Sequence, residues 1–397
     1  MTNIKRMGQK KDWRGVLDLL RETKASGQVI NTRMYTQCIV ALAKSHRTRE
    51  ALSVLDEMKA RGVRPTVITY NAAIKACTGG ENWKHALRLL REAIEDKGVF
   101  TDIIIYNTVI MVCGSSGQWK VALELLEDAK RSRGVAPDVV TYNSVMKACG
   151  DGYNWRESLR LLREMEGEGV KPDVVSFNTA IKACGDSGRW DEALRLLVDV
   201  KMIKEVVPDI ITYNSAIKAC GNGGKWEAAL RLLKGMQGGE VAPDVVTFNT
   251  VIKACGDRGR LREALQVLSE AKRAQGVVLN EVTFCAAIQA CGNVGEGKAA
   301  MSLLEEAKGT KGVVLNVQIY STAITACGNR DDALRLLEEM KAKGIAPNTH
   351  TYSAAITVCG NGDDALCLLE EMKLRRVKPN VVVYGAVINA SGDGKVA

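Results

Sequence analysis

Apolar residues recur along this chain at helical spacing and in a constant phase. In Val139-Val-Thr-Tyr-Asn-Ser-Val-Met-Lys-Ala-Cys-Gly150, the residues Tyr142, Met146 and Cys149 share one helical stripe. A second stripe opens near Trp155, runs through Ser158, Leu159, Leu161, Leu162 and Met165, and stops at Gly169-Val-Lys-Pro172. The pattern predicts two helices of about a dozen residues each, with Gly150 ending the first as a left-handed C-terminal cap. The same double stripe returns around Asp244-Val-Val-Thr-Phe-Asn-Thr-Val-Ile-Lys-Ala-Cys-Gly256.

The interval of that return is nearly constant. Cys77, Cys113, Cys149, Cys184, Cys220, Cys255, Cys291 and Cys327 follow one another at 35 or 36 residues, and Cys359 comes after 32. A period in the range of roughly 20–50 residues is the mark of a solenoid, in which each unit is too small to bury its own apolar faces and is stable only when stacked. With position 1 set at Val139, ten complete repeats follow in phase: 32–66, 67–102, 103–138, 139–173, 174–209, 210–244, 245–280, 281–316, 317–348 and 349–380. Partial repeats occupy 1–31, where Ile4 to Gly8 align with the middle of a first helix and Trp13 with position 17, and 381–397, one helix without its partner. The expectation is a single all-α solenoid over 1–397, cut inside a repeat at both ends, as in a fragment. No capping repeat or targeting segment is visible. Trp83, Trp119, Trp155, Trp190 and Trp226 all fall at position 17 and read as core at the start of the second helix. Every proline (Pro65, Pro137, Pro172, Pro208, Pro243, Pro347 and Pro379) precedes the last residue of a repeat, where it ends the second helix and holds the chain extended.

Packing requires apolar residues at positions 4, 8 and 11, but not Asn at position 5, a middling to poor helix former. Asn71, Asn107, Asn143, Asn178, Asn214 and Asn249 all stand there. On the same helix face, position 9 is Lys75, Lys147, Lys182, Lys218 and Lys253, and position 2 is Ile68, Ile104, Val140, Val175, Ile211, Val246 and Val282. The last residue of the repeat is Thr66, Asp102, Asp138, Asp173, Asp209, Asp244, Asn280, Asn316, Asn348 or Asn380. Stacking turns this set into a groove with one aliphatic residue, one amide and one cation per repeat. An aliphatic wall can sandwich a base, an amide can bond its edge and a lysine can balance phosphate, which matches single-stranded RNA at one nucleotide per repeat. Each element also has a plainer reading. The acidic residues are well placed as helix N-caps, the lysines as a solvated face, and the asparagines as a ladder of hydrogen bonds between helices. What the plainer reading does not readily explain is variation in the polar set over a constant core: Cys285, Ser321 and Ser353 replace Asn at position 5.

Composition narrows the classes. The chain has 397 residues, a formal charge of +9, 46% hydrophobic and 25% charged residues, and is therefore neither disordered nor strongly basic. No run approaches the roughly 18 apolar residues of a membrane span. The twelve cysteines, Cys38, Cys285 and Cys367 included, contain no metal-ligand spacing, and the periodic ones read as small apolar core residues in a reducing compartment. With only His46, His85 and His350, and no carboxylate cluster, no metal, cofactor, small-molecule substrate or enzymatic activity is expected.

Val-Val-Thr-Tyr-Asn at the start of the repeat, Ala at position 20 (Ala86, Ala122, Ala193, Ala229, Ala264) and Pro-Asp at its end resemble the P-type pentatricopeptide repeat. Lys at 9, Cys-Gly at 11 and 12 and the two 32-residue units depart from the usual pattern. The resemblance implies an α-solenoid, a right-handed superhelix of helix-turn-helix repeats, which reads one RNA base per repeat through position 5 and the last position. It implies U for Asn71/Asp102, Asn107/Asp138, Asn143/Asp173, Asn178/Asp209 and Asn214/Asp244, C or U for Asn249/Asn280, and A for Ser321/Asn348 and Ser353/Asn380. Thr36/Thr66 and Cys285/Asn316 match no rule. The expected target is 5′-nUUUUUYnAA-3′ in a chloroplast or mitochondrial transcript, bound for processing, stabilisation, splicing or translation. Two alternatives stand beside it: a protein-binding scaffold like the tetratricopeptide repeat, and the precursor-tRNA-binding repeat region of a protein-only ribonuclease P without its nuclease domain.

Overall fold

The computed structural model describes residues 6–391 apart from Gly8, Lys11, Gly80 and Lys97. Part of the Ile4–Gly8 alignment and the tail 392–397 of the last partial repeat therefore lie outside the described residues. The secondary structure among the described residues is helical throughout, in alternating first and second helices. First helices begin at Thr32, Val67, Ile103, Val139, Val174, Ile210, Val245, Glu281, Val317, Thr349 and Val381. Second helices begin at Trp13, Thr48, Trp83, Trp119, Trp155, Trp190, Trp226, Leu261, Gly297, Arg330 and Gly362. The chain forms two compact units, Met1–Val207 and Pro208–Ala397.

Within each unit the helices make two layers with different neighbours. A first helix packs on its own second helix and on the first helix of the next repeat, whereas neighbouring second helices make no close backbone approach among the described residues. The ring at position 4 anchors the layer between them. Tyr35, Tyr142, Tyr320, Tyr352, Phe248 and Phe284 are buried to within 2% of completely. Such rings bury large apolar areas and dominate core energetics. Met146 and Cys149 on the same stripe are fully buried, as the periodicity predicts. The periodic cysteines are free thiols sealed in this layer; burial pushes Cys113, Cys149, Cys184 and Cys255 up to about 12.

Gly150 is not the helix cap expected of it. The first helix of its repeat runs through it to Asp151. Its missing side chain serves packing instead, since a Cβ there would lie 2.8 Å from Ala183 Cβ of the next repeat. Gly114 meets Ala148, Gly256 meets Ala290 and Gly292 meets Ala326 in the same way, at 2.8, 2.6 and 2.8 Å. Position 12 is thus a point of close approach between consecutive first helices. The left-handed residue comes three positions later, at Gly117, Gly188, Gly224, Gly259 and Gly295. Only in the two 32-residue repeats is the glycine at position 12 left-handed, Gly328 at φ 71° and Gly360 at φ 66°. The three missing residues remove the last turn of the helix, and the same glycine becomes its end.

The tryptophans at position 17 do open the second helices, as expected, but they are half-buried rather than core. Their exposed faces carry cations: the Arg189 guanidinium lies 4.8 Å from the Trp155 ring centre, and that of Arg260 lies 5.0 Å from Trp226. A cation over an indole face is favourable by about 0.5–1 kcal/mol at such sites.

Candidate nucleic-acid interface

Every residue expected at the end of a repeat caps the helix that follows. Thr66, Asp102, Asp138, Asp173, Asp209, Asp244, Asn280, Asn316, Asn348 and Asn380 each accept a hydrogen bond from a backbone N–H of the next first turn, the expected satisfaction of an otherwise orphaned donor. In seven repeats the cap's backbone N–H donates in return to the hydroxyl of a Thr or Ser at position 3, completing a capping box, as Asp138 does to Thr141.

Position 5 reaches across to that cap. Asn107 Nδ2 donates to Asp138 Oδ1 at 3.3 Å, Asn143 to Asp173 at 3.2 Å, Asn214 to Asp244 at 3.3 Å and Asn249 to Asn280 at 3.2 Å. The two residues of each pair lie 30 or 31 positions apart in sequence and meet only because consecutive first helices stack. The ladder reading of the asparagines is therefore correct as far as it goes. The amide oxygens of Asn107, Asn143 and Asn249 are buried without a protein partner, and so is that of Asn71. A buried acceptor left open costs about 1–3 kcal/mol, so a polar donor arriving there would be favoured. Other expected pairs are not joined: no hydrogen bond links Asn71 to Asp102, Cys285 to Asn316 or Ser353 to Asn380, and Ser321 bonds Thr351 at 2.7 Å rather than Asn348. Asn178 and Asp209 belong to different units.

Electrostatics hold three of the acidic caps ionised. Burial pushes the Asp138 carboxyl up, but bonds from the Thr141 amide and hydroxyl and from Asn107 outweigh it and hold the group below its usual range. Asp173 and Asp244 are lowered by the same balance.

Beside the pairs runs an exposed apolar row. Ile68, Ile104, Val140, Val175, Ile211, Val246 and Val282, all at position 2, are between 47% and 65% exposed. Aliphatic side chains repeated in water at one position of successive repeats are not accounted for by folding. The lysines at position 9 are exposed as well, and three of them are paired with acids. Lys147 pairs with Asp151 at 2.8 Å, Lys182 with Asp151 at 3.2 Å and Asp186 at 3.4 Å, and Lys253 with Asp257 at 2.9 Å. Sequence reasoning overlooked these acids at position 13, although their i, i+4 spacing from the lysines was a readable signal. No group of His, Cys, Asp or Glu among the described residues could hold a metal ion, and no helix among them is long and apolar enough to cross a membrane.

Tandem helical hairpins carrying one apolar, one amide and one acidic or amide position per repeat define an α-solenoid with a periodic exposed apolar row. Family models agree along nearly the whole length: the PPR repeat family at 101–151, 137–186, 208–256 and 243–293, the pentatricopeptide repeat domain at 18–80, 302–362 and 360–394, and the PPR repeat at 68–97, 175–203 and 282–309. The chain belongs to the pentatricopeptide repeat family. It is similar to the crystal structure of the maize pentatricopeptide repeat protein PPR10, with a TM-score of 0.65 and 31% identity, over 98% of this chain and 56% of that one. PPR10 has also been crystallised in complex with an 18-nt psaJ RNA element, where the TM-score is 0.48 at 31% identity over 98% of this chain and 55% of that one. Among curated proteins, pentatricopeptide repeat-containing protein 10, chloroplastic, of Zea mays is 33% identical over 91 residues, 22% of this chain and 12% of that protein. Pentatricopeptide repeat-containing protein At3g29290 of Arabidopsis thaliana is 30% identical over 84 residues, 21% of this chain and 16% of that protein. The chain thus spans about half of the PPR10 crystal chain, and each curated match covers a smaller part of its protein.

Proposed function

We propose that this chain binds single-stranded RNA in a sequence-specific way, one base per repeat, in an organellar transcript. The observation that carries the reading is the joined pair of position 5 and the last position, with an open buried amide oxygen and an exposed aliphatic residue beside it. A base sandwiched between successive position-2 side chains would present its edge to that pair. Family membership, and likeness to a maize protein that has been crystallised with an RNA element, support the same reading. The chloroplastic name of the Zea mays relative supports an organellar setting.

In this reading the pairs Asn71/Asp102 through Asn214/Asp244 select U, Asn249/Asn280 a pyrimidine, and Ser321/Asn348 and Ser353/Asn380 A, giving 5′-nUUUUUYnAA-3′. Ile68, Ile104, Val140, Val175, Ile211, Val246 and Val282 sandwich the bases, and Lys75, Lys147, Lys182, Lys218 and Lys253 face the phosphates. The test is an exchange. Asn143→Ser with Asp173→Asn moves the preference at the third U toward A in a selection from randomised RNA; an unchanged preference there refutes the pairwise reading.

A further inference from the structure

We infer that the hydroxyl at position 3 of the following repeat is a third base-selecting position, a positioning residue that turns the last side chain of one repeat toward its position 5. The inference rests on the reading just proposed. Its basis is a correspondence inside the two units. Wherever the following position 3 is Thr or Ser, position 5 is tied in; wherever it is aliphatic, the tie is missing.

Thr141, Ser176, Thr247 and Thr283 are all fully buried. Their hydroxyls donate to Oδ1 of Asp138, Asp173, Asp244 and Asn280 at 2.8, 2.9, 2.8 and 3.1 Å. In each case that same oxygen accepts the position-5 amide of Asn107, Asn143, Asn214 or Asn249. At three sites the hydroxyl touches position 5 directly. Thr247 Oγ1 is 2.7 Å from Asn214 Oδ1, Thr69 Oγ1 is 2.7 Å from Thr36 Oγ1, and Thr351 Oγ1 is 2.7 Å from Ser321 Oγ. The exceptions are Ile105, Ile319 and Val383, which follow Asn71/Asp102, Cys285/Asn316 and Ser353/Asn380. None of these three pairs is joined.

Helix capping alone does not account for the correspondence. Asp102, Asn316 and Asn380 still cap their helices through the backbone amides of Ile105, Ile319 and Val383, at 3.1, 3.1 and 3.0 Å. The cap thus survives without the hydroxyl, and the link to position 5 does not. A carboxylate oxygen can accept several donors at once, and the hydroxyl adds a second, fixed one to the backbone amide, restricting the rotamer that the next repeat presents to position 5. Selection should therefore be stringent at the nucleotides whose position 5 is tied in, whether to the last residue or to the hydroxyl itself. It should be lax at the first U, at the second n and at the last A of 5′-nUUUUUYnAA-3′.

The experiment is a nucleotide-by-nucleotide competition between RNAs for the wild-type chain and for I105T, T141V and T141S. I105T should sharpen the U preference at the first U by roughly tenfold or more, the effect expected of one hydrogen bond to a charged carboxylate, and T141V should relax the second U by a similar factor. T141S should keep the wild-type ratio, and the ratios at all other nucleotides should stay put, which a general fall in stability would not produce. If neither I105T nor T141V changes its own ratio while Asn107→Ser with Asp138→Asn still redirects the base at the second U, the inference is overturned and the pairwise reading stands. A wild-type chain without base preference at any nucleotide overturns both.

Discussion

At the scale of single residues, this protein is governed by how closely consecutive repeats approach. Gly256 leaves no room for a methyl group: a Cβ would sit 2.6 Å from Ala290 Cβ and 3.1 Å from its backbone Cα. Gly256→Ala should therefore destabilise by about 1–3 kcal/mol, the usual cost of overpacking, and adding Ala290→Gly should recover part of it in chemical denaturation. Tyr153 shows the opposite situation. It holds φ 57° at the position where five other repeats place glycine, and it is 73% exposed, so packing does nothing to offset the strain. Tyr153→Gly should raise the melting temperature, relief of the left-handed conformation being worth about 1 kcal/mol. The cysteines make a third residue-scale prediction. Eleven are buried and Cys367 alone is exposed, so a thiol reagent should modify one cysteine in the native protein and the rest only on unfolding. Stoichiometry by mass spectrometry checks this.

At the scale of elements, the second helices are joined mainly by charge. Lys24 pairs with Glu57 at 2.5 Å, Lys308 with Glu339 at 2.7 Å and Lys341 with Glu371 at 2.6 Å; Lys59–Glu92 and Lys130–Glu164 complete the same register. Position-4 tyrosines brace the acids from the other layer, Tyr320 donating to Glu339 at 2.9 Å and Tyr352 to Glu371 at 3.0 Å. Burial pushes the Glu339 carboxyl up, but Lys308, Lys343 and Tyr320 prevail and bring it down from 4.5 to about 2. Glu57 and Glu371 are lowered as well. A carboxyl lowered by folding stabilises fully above its ordinary value and ceases to contribute as pH falls through the folded one. The melting temperature should accordingly drop between pH 4.5 and about 2, and Glu339→Gln should flatten that dependence. Sequence reading overlooked this ladder because its partners lie a whole repeat apart and their alignment depends on stacking register.

At the scale of the whole molecule, a charge of +9 is modest, and Lys147, Lys182 and Lys253, among the lysines of the proposed interface, are restrained by acids. Removing Asp151, which holds both Lys147 and Lys182, should strengthen RNA binding at low salt; Asp151→Asn tests it by titration at several salt concentrations. Replacing Lys147, Lys182 and Lys218 together should weaken binding and reduce the log–log salt slope by roughly 0.7 for each phosphate no longer neutralised. An unchanged slope would return those lysines to a solvated face. Much of the architecture was legible in advance, because periodicity is a local property. The stripe of Tyr142, Met146 and Cys149, the helix starts and the caps from Asp102 to Asn380 all follow from spacing and backbone chemistry within one repeat. The misreadings have a common origin in the packing of one repeat on the next. Gly150 lies against Ala183 of the next repeat instead of capping its helix, and Trp155 keeps an open face that Arg189 of the next repeat covers. By itself, then, the sequence determined the repeat, its two helices and the residue types at positions 2, 5, 9 and the last. Only the tertiary structure decided which of them meet. A hydrogen bond such as that from Asn143 to Asp173 needs its two atoms about 3 Å apart, and residues 30 positions distant in the chain reach that distance only when one hairpin is stacked in register on the next.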